Sequence, residues 1–491
     1  MIFLMLWPYT VCCVIISLLL AAFLNCKKPT NFPPGPRWIP FLGCTYQLTK
    51  LSSALGGQHK ALENLRNQYN SDIIGLKLGH ENVVVVYGNN LINEILHGEE
   101  FQGRPNNFFI RLRTMGKRLG ITMTDGELWK LHKEFVVKCL KNLSDGQHKT
   151  DALIREEFEQ MKRVFLNETG SVIPGPYFQT AAINILWQFT AGTKFIDSNI
   201  ISLMSKRSAA FNMTGGLLSQ IPWIRCIAPK KSGFKLIKDI NQQLFSLISK
   251  IINEHKQSLT DNPKDFIDMY LLKIKKENNS NTTFTGSYNE QLIATCLDLF
   301  IAGSKTTSST LDFAILAMAK WPSIQAKVQA YLDTIKPPGT FLLAEDILEC
   351  KYLQAVLIES KRLSHITPLI GPRRVLRNTK LDGYNIPKDS TVLMSLYSIH
   401  YDPLKWESPE EFRPERFIDE NGNLKKNNNL YFFGHGKRRC PGESLAQRFI
   451  LLMFANLIHD FEIKMEELPS GLNCGILVTS KPYKVKLYKR K

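Results

Sequence analysis

The sequence predicts a mainly helical chain with small β-sheets, folded as one large unit behind an N-terminal membrane anchor. Three observations carry this. Apolar residues recur at helical spacing through most of the 491 residues. Strand-like patterns are confined to short stretches: "DIIGLKLGHENVVVVYG" at 72–88 reads as a hairpin and "LDGYNIPKDSTVLMS" at 381–395 as further strands. Length alone would allow about three domains. However, no long low-complexity linker or repeat divides the chain, and the polar run "KKENNSNTTFTGS" at 275–287 reads as one exposed loop. A hydrophobic fraction of 44% is ample for a large core.

Residues 2–24 contain no charge and are long enough to cross a bilayer as a helix. A cleaved secretory signal would need a basic leading region and a small-residue cleavage site, and neither is clear. Lys27 and Lys28 follow directly, so the positive-inside tendency puts the remainder on the cytoplasmic side. The reading is therefore an anchor over 1–26 and a basic, proline-rich hinge over 27–40, stiffened by "NFPPGP", with the globular domain over 41–491. The ten cysteines are scattered, two of them inside the uncharged stretch 2–24, which suits a reduced, cytosol-facing chain better than a disulfide framework. A formal charge of +18 raises the possibility of nucleic acid, but no reading motif accompanies it. An anionic bilayer surface and an acidic protein partner are the expected counterparts.

The chemistry is concentrated in "YFFGHGKRRCPGES" at 431–444. Taken alone, a loop cysteine is usually inert. Here Lys437, Arg438 and Arg439 precede Cys440, and an apolar helical pattern from Leu445 to Ile463 follows, which places the thiol at a helix entrance. Amide N–H groups and the positive dipole end favour a thiolate there, serving as nucleophile or metal ligand. Gly434, Gly436 and Gly442 let backbone approach a flat object closely, which suits a macrocycle. The pattern Phe433, Gly436, Arg438, Cys440, Gly442 resembles the haem-binding loop of the cytochrome P450 superfamily. The resemblance implies that Cys440 is the axial ligand of the iron of haem b, a thiolate favouring O–O cleavage.

Other segments resemble the same family, in its order. In "YLQAVLIESKRLSHITP", Glu359 precedes Arg362 by three residues on one helix face, and "PEEFRPERF" supplies Arg416 and Phe417. The resemblance implies that Glu359, Arg362 and Arg416 form a structural network behind the haem loop. Residues 290–319 form a long, mostly apolar helix, interrupted where Ala302, Gly303, Thr306 and Thr307 permit a local bulge. The Gly-Ser-Lys-Thr-Thr run there is not a phosphate loop, since the Walker pattern needs an earlier glycine and a preceding strand. By resemblance the bulge faces the iron, and Thr306 positions protons and water. Lys305 departs from the pattern, because the family usually carries an acid there. A lysine does not relay protons as a carboxylate does unless its pKa is much lowered, so either another route delivers protons or turnover is uncoupled. Buried haem propionates need cations. Trp129 and Lys133 in "GELWKLHKEF" match Trp-x-x-x-Arg with lysine for arginine, Arg438 and Arg373 match further propionate positions, and Lys117 is a fourth.

The family fold is triangular and mainly helical, with haem between the Thr306 helix and the Cys440 loop. The implied reaction is monooxygenation: NADPH electrons arrive through a flavoprotein reductase, with cytochrome b5 as a second donor, and one atom of O2 enters a lipophilic substrate. That substrate would be a terpenoid or steroid hormone, a fatty acid or a foreign compound. Lys130, Lys133, Lys138, Lys437 and Arg439 could dock the reductase or simply be solvated. The distal cavity would be lined by 106–122, 208–228, 295–306, 366–370 and 474–479. The apolar stretch 211–229 either dips into the membrane interface or packs in the core. The expected location is the endoplasmic reticulum membrane. Two alternatives share the haem: an isomerase or dehydratase, against which Thr306 argues, and a lipid-binding haem protein with little turnover. Wording around "PRRVLRNTKLDGYNIPKDSTVL" resembles arthropod microsomal members of the drug- and hormone-oxidising clan.

Overall fold

The computed structural model describes residues 17, 20, 23, 24, 26–145, 147–168, 170–194, 198–210, 218, 221–278, 288–425, 430–475 and 477–491. Most of the anchor stretch 2–24 lies outside these. Among the described residues, no helix is long and apolar enough to cross a membrane. The chain divides into two compact units, one made of 1–109, 212–235 and 369–398, the other of 110–211, 236–368 and 399–491.

The first unit is built on a four-stranded sheet. Strands β1 (Ile73–Leu78) and β2 (Glu81–Val86) form the expected hairpin, paired from Ile73↔Val86 to Leu78↔Glu81. Strand β3 (Leu369–Arg374) and a small ribbon of β4 (Thr379–Leu381) with β5 (Tyr384–Ile386) precede β6 (Thr391–Ser395). The sheet order is β1-β2-β6-β3, with β6 parallel to β2 and antiparallel to β3. Every residue of β1 is buried, Lys77 included, which explains why this strand reads as a mostly apolar run rather than an alternating one. Helix Gln58–Tyr69 contributes buried Ala61, Leu62 and Leu65, and the buried Tyr87 hydroxyl donates to Leu62 O at 2.6 Å. The proline-rich stretch is docked on β1: Gly75 N donates to Pro34 O at 2.8 Å, and a Cβ on Gly75 would lie 2.5 Å from the Phe32 ring. Glycine at 75 is what allows Phe32 and the prolines to lie flat on the strand.

The second unit is helical and holds the main cores. The helices used below are α1 (Gly126–Asp145), α2 (Gly175–Ala191), α3 (Tyr288–Lys320), α4 (Lys351–Ser364) and α5 (Glu443–Asp460). Helix α3 runs through the unit against α2, α4 and α5, so its sequence is apolar nearly all round. One core gathers Phe158, Phe178, Leu311, Leu353, Phe449 and Phe454, and another gathers Trp187, Phe300, Tyr270 and Leu297. The indole of Trp187 stacks on Phe300 with centroids 4.9 Å apart, tying α2 to α3. Small antiparallel pairs close the C-terminal region: β7 (Phe461–Glu467) with β10 (Lys484–Lys489), and β8 (Leu472–Cys474) with β9 (Val478–Ser480).

Two details differ from the sequence reading. The expected loop at 275–287 begins as helix, since Phe266–Asn278 continues through its first four residues; 279–287 lie outside the described residues. Helix α3 also runs through Ala302–Thr307 without the predicted interruption. Threonine hydroxyls satisfy the backbone there by back-bonding, and neighbouring helices hold the small residues in helical form.

Candidate functional site

The cysteine loop is shaped by left-handed residues. Tyr431, Gly434 and Gly436 have φ of 43°, 69° and 66°, a region that glycine enters without steric cost. The turn is closed by Gly434 N donating to Tyr431 O at 2.8 Å and by Cys440 N donating to Phe433 O at 2.8 Å. Gly442 caps α5, so Cys440 stands at the helix entrance as predicted. Its thiol is not tuned as predicted. The residue keeps accessible surface, yet its sulfur is inset among loop atoms, and this desolvation raises the thiol pKa. The Gly442 amide, Lys133 and Arg439 act in the opposite sense, and Glu443 adds to the rise. The helix entrance alone therefore does not enforce a thiolate; a coordinated metal would, since a metal-bound thiol is deprotonated outright.

Three of the predicted residues, Trp129, Lys133 and Arg438, meet at this loop. The Arg438 guanidinium lies 3.4 Å from the Trp129 ring centroid and donates to Thr124 O at 2.8 Å. Lys133 stands over the same ring at 5.3 Å and donates to Lys437 O. Trp129 is fixed by its indole N–H, which donates to Ile121 O at 3.1 Å. Helix α1 places Trp129 and Lys133 one turn apart on one face, so a single helix and the loop create a cationic edge. Lys117 is held instead in an exposed ion pair with Glu290 at 2.6 Å. Arg373 belongs to the first unit, where it is buried in β3 and donates to Gln102 Oε1 at 3.0 Å.

Behind the loop, Glu359 and Arg362 on α4 form a fully buried fork, with bonds of 2.7 and 2.9 Å. Arg416, from the short helix Pro414–Phe417, adds a 3.0 Å bond to Glu359 Oε1. Arg362 also donates to His400 O at 2.7 Å, and Phe417 packs on Trp406. The three charges thus tie α4 to two separate loops.

Helix α3 presents one less-buried face. Ala302 is exposed although its helix crosses the core, and Gly303, Thr306 and Thr310 on the same side are half-buried. Thr306 Oγ1 donates to Ala302 O at 2.6 Å. Lys305 is half-buried on another face; burial lowers its pKa, and Asp312 two turns on raises it. Asp312 is pushed up to about 6 by burial, against the hydrogen bond it accepts from the Tyr483 hydroxyl at 3.0 Å.

The cytochrome P450 family profile matches residues 33–487. The chain belongs to the cytochrome P450 family. Its relatives agree along nearly the whole length. "Probable cytochrome P450 305a1" of Drosophila melanogaster is 39% identical over 98% of each chain. "Farnesoate epoxidase" of Bombyx mori is 32% identical over 94% of each. "Cytochrome P450 2J5" of Mus musculus is 31% identical over 96% of this chain and 94% of its own. The protein is therefore a cytochrome P450 monooxygenase, and the family's cofactor is haem.

The residues of this P450 fit that group. An accessible thiol sits on a glycine-shaped loop, a cationic edge of Arg438 and Lys133 is built around Trp129, and α3 offers a face of small residues with one hydroxyl. Sequence reasoning missed three groups. Lys361, between Glu359 and Arg362, lies over the Phe432 and Phe433 rings at 5.3 and 5.8 Å, and burial pushes its pKa down to about 8. Asp298 on α3 accepts the amides of Ile121 and Thr122, each at 2.8 Å, and so shapes the segment before α1. Asp312 and Tyr483 form the third. The signal available for both acids was a carboxylate inside an apolar helix, "CLDLF" and "STLDFA".

Proposed function

We propose that this P450 is anchored in the endoplasmic reticulum membrane facing the cytosol. In this reading it takes NADPH electrons through a flavoprotein reductase, with cytochrome b5 as a second donor, and oxidises a lipophilic substrate, foremost an isoprenoid. Fatty acids, steroids and foreign compounds are the other members of the class. Similarity to a farnesoate epoxidase over nearly the whole chain supports the isoprenoid choice. Exposed Trp223 and Ile227, with Lys230 and Lys231 following, support contact of this segment with a membrane surface.

The observation that carries the reaction class is the juxtaposition on α3 of exposed Ala302, half-buried Gly303 and the Thr306 hydroxyl in a chain whose Cys440 loop is intact. Haem held by Cys440 would supply O2 binding and the oxidising power of the reaction. Arg438 and Lys133 would neutralise its propionates, and the Glu359 network would hold the loop in register. Thr306 would hold a proton or a water at Oγ1, since its present acceptor, Ala302 O, leaves the oxygen free to accept in turn. Lys305 donates protons but does not shuttle them while it is charged, so Thr306 and water carry the path.

Reductase-coupled turnover against a panel of isoprenoids, sterols and fatty acids, read by mass spectrometry, tests the reading. A product with mass increased by one oxygen, dependent on NADPH and reductase, is expected. Rearranged product without NADPH would favour the isomerase alternative, and ligand-induced spectral shifts without product would favour the lipid-binding one.

A further inference from the structure

Between the two members of the buried fork on α4 stands a cation that pairs with no carboxylate among the described residues. Lys361 is half-buried; Glu359, two residues earlier, lies on another face of the helix and is taken by Arg362 and Arg416. The Lys361 ammonium lies instead over Phe432 and Phe433, 5.3 and 5.8 Å from the ring centroids. Burial lowers its pKa and Glu443 opposes the change, yet Glu443 itself is forked to Arg439 at 2.6 and 2.9 Å. An inset ammonium costs desolvation that two ring faces offset only in part, so packing alone would be better served by an apolar side chain there.

Phe432 and Phe433 lead into the cysteine loop, and the Phe433 carbonyl accepts the Cys440 amide at 2.8 Å. The same lead-in is held a second time. His400 Nε2 donates to Leu430 O at 2.9 Å, its ring tilts against Phe432 with centroids 5.2 Å apart, and its own carbonyl accepts Arg362 at 2.7 Å. Burial pushes the His400 pKa down to about 4, so that grip is uncharged near neutral pH. Helix α4 therefore grips the loop through a neutral contact and through a charged one. Other cations close to the thiol are weaker sources of potential: Lys437 and Arg439 are exposed, and Arg439 is matched by Glu443. We propose that Lys361 is a positioning residue that seats the Phe432–Phe433 step and supplies an inset positive charge behind the Cys440 loop, favouring the ferrous over the ferric state of haem bound there. An added electron makes the thiolate-bound group more negative, and a nearby cation in a low-dielectric interior stabilises that state. The inference rests on the haem-thiolate reading and adds which residue of this chain biases its first electron.

The test uses the full-length holoenzyme at pH 7, with the ferrous-to-ferric ratio read by absorbance at one fixed solution potential in the absence of substrate. Lys361→Met keeps an unbranched apolar stem and removes the charge; the ratio should fall about threefold or more. Lys361→Arg keeps a cation that stacks on aromatic faces, and its ratio should stay within about twofold of the parent. The carbon monoxide band of each ferrous protein reports the ligand separately. A Lys361→Met protein with the band intact and the parental ratio overturns the inference, as does a Lys361→Arg protein that falls as far as Lys361→Met, since shape rather than charge would then decide. Should Lys361→Met fail to retain haem, Lys361→Gln reads the same ratio; loss of haem from both neutral variants would overturn the inference by making the charge a requirement of folding alone. Absence of the band from the parent protein would sink the haem-thiolate reading itself, and this inference with it.

Discussion

Replacing Glu359 by alanine should be the most damaging single change outside the cysteine itself. The carboxylate accepts four donors: two from Arg362 at 2.7 and 2.9 Å, Arg416 Nε at 3.0 Å and the Arg413 amide at 3.0 Å. Glu359 and Arg362 side chains are fully buried, and Arg416 is 6% exposed, so no water replaces the lost partner. Breaking a buried pair by removing one member costs about 3–5 kcal/mol, and here two guanidiniums lose the same carboxylate. Against a typical stability of about 5–15 kcal/mol this is roughly a fifth of the total or more. The variant should accumulate with little haem and unfold at a much lower urea concentration, read by haem absorbance and far-UV circular dichroism together. Glu359→Gln keeps an acceptor oxygen but turns an NH2 toward a guanidinium, so its loss should be smaller though still above about 1 kcal/mol. A Glu359→Ala protein with full haem content and a midpoint within about 1 kcal/mol of the parent would refute the reasoning.

Cys440→Ser should abolish the carbon monoxide difference band characteristic of thiolate ligation, because a hydroxyl remains protonated where a thiol ionises on iron; unchanged pigment and band would contradict the ligand assignment. Lys305→Glu supplies the acid usual in the family, and if turnover is uncoupled it should raise product formed per NADPH consumed, an unchanged ratio pointing to an independent proton route. His255 accepts no comparable ambiguity: its hydrogen bond from Nε2 to Asp265 at 3.0 Å lifts its pKa from about 6.5 to about 9. That raised folded-state pKa contributes stability fully present below about pH 6.5 and lost as pH rises through about 9, on the order of 3 kcal/mol at full extent. The urea midpoint should fall across this window, and His255→Gln should flatten the dependence.

Much of the site was legible because its chemistry depends on close sequence spacing. The cysteine loop, Trp129 with Lys133, and Glu359 with Arg362 each lie within a turn or two of chain, and the structure brings them into contact through local geometry plus one long-range step. The hairpin at 72–88 was legible for the same reason. What escaped depended on tertiary context. The pKa of Cys440 is set first by desolvation, which spacing does not reveal. The helical start of 275–287 is a polar continuation of a helix whose opposite face is buried, and composition alone read it as loop. Asp298 matters through a partner far away in sequence, 176 residues in the bond to Thr122.

Charge on α3 follows from this arrangement. Among its described acids, Asp298 is committed to the amides of the segment before α1, and Asp312 is turned to Tyr483. Lys305 lies between them in sequence, a half-buried cation whose pKa burial lowers while Asp312 opposes the change. Neither acid replaces a carboxylate at 305: Asp298 lies two turns before Thr306 and is held by two backbone amides, and Asp312 lies seven residues from Lys305, on the same side as the lysine and about 120° from Thr306. A proton reaching Thr306 therefore comes through water rather than from a neighbouring carboxylate on α3. Deleting the hydroxyl with Thr306→Ala should for that reason cost coupling efficiency more heavily than substrate affinity, and the ratio of product to NADPH consumed separates the two.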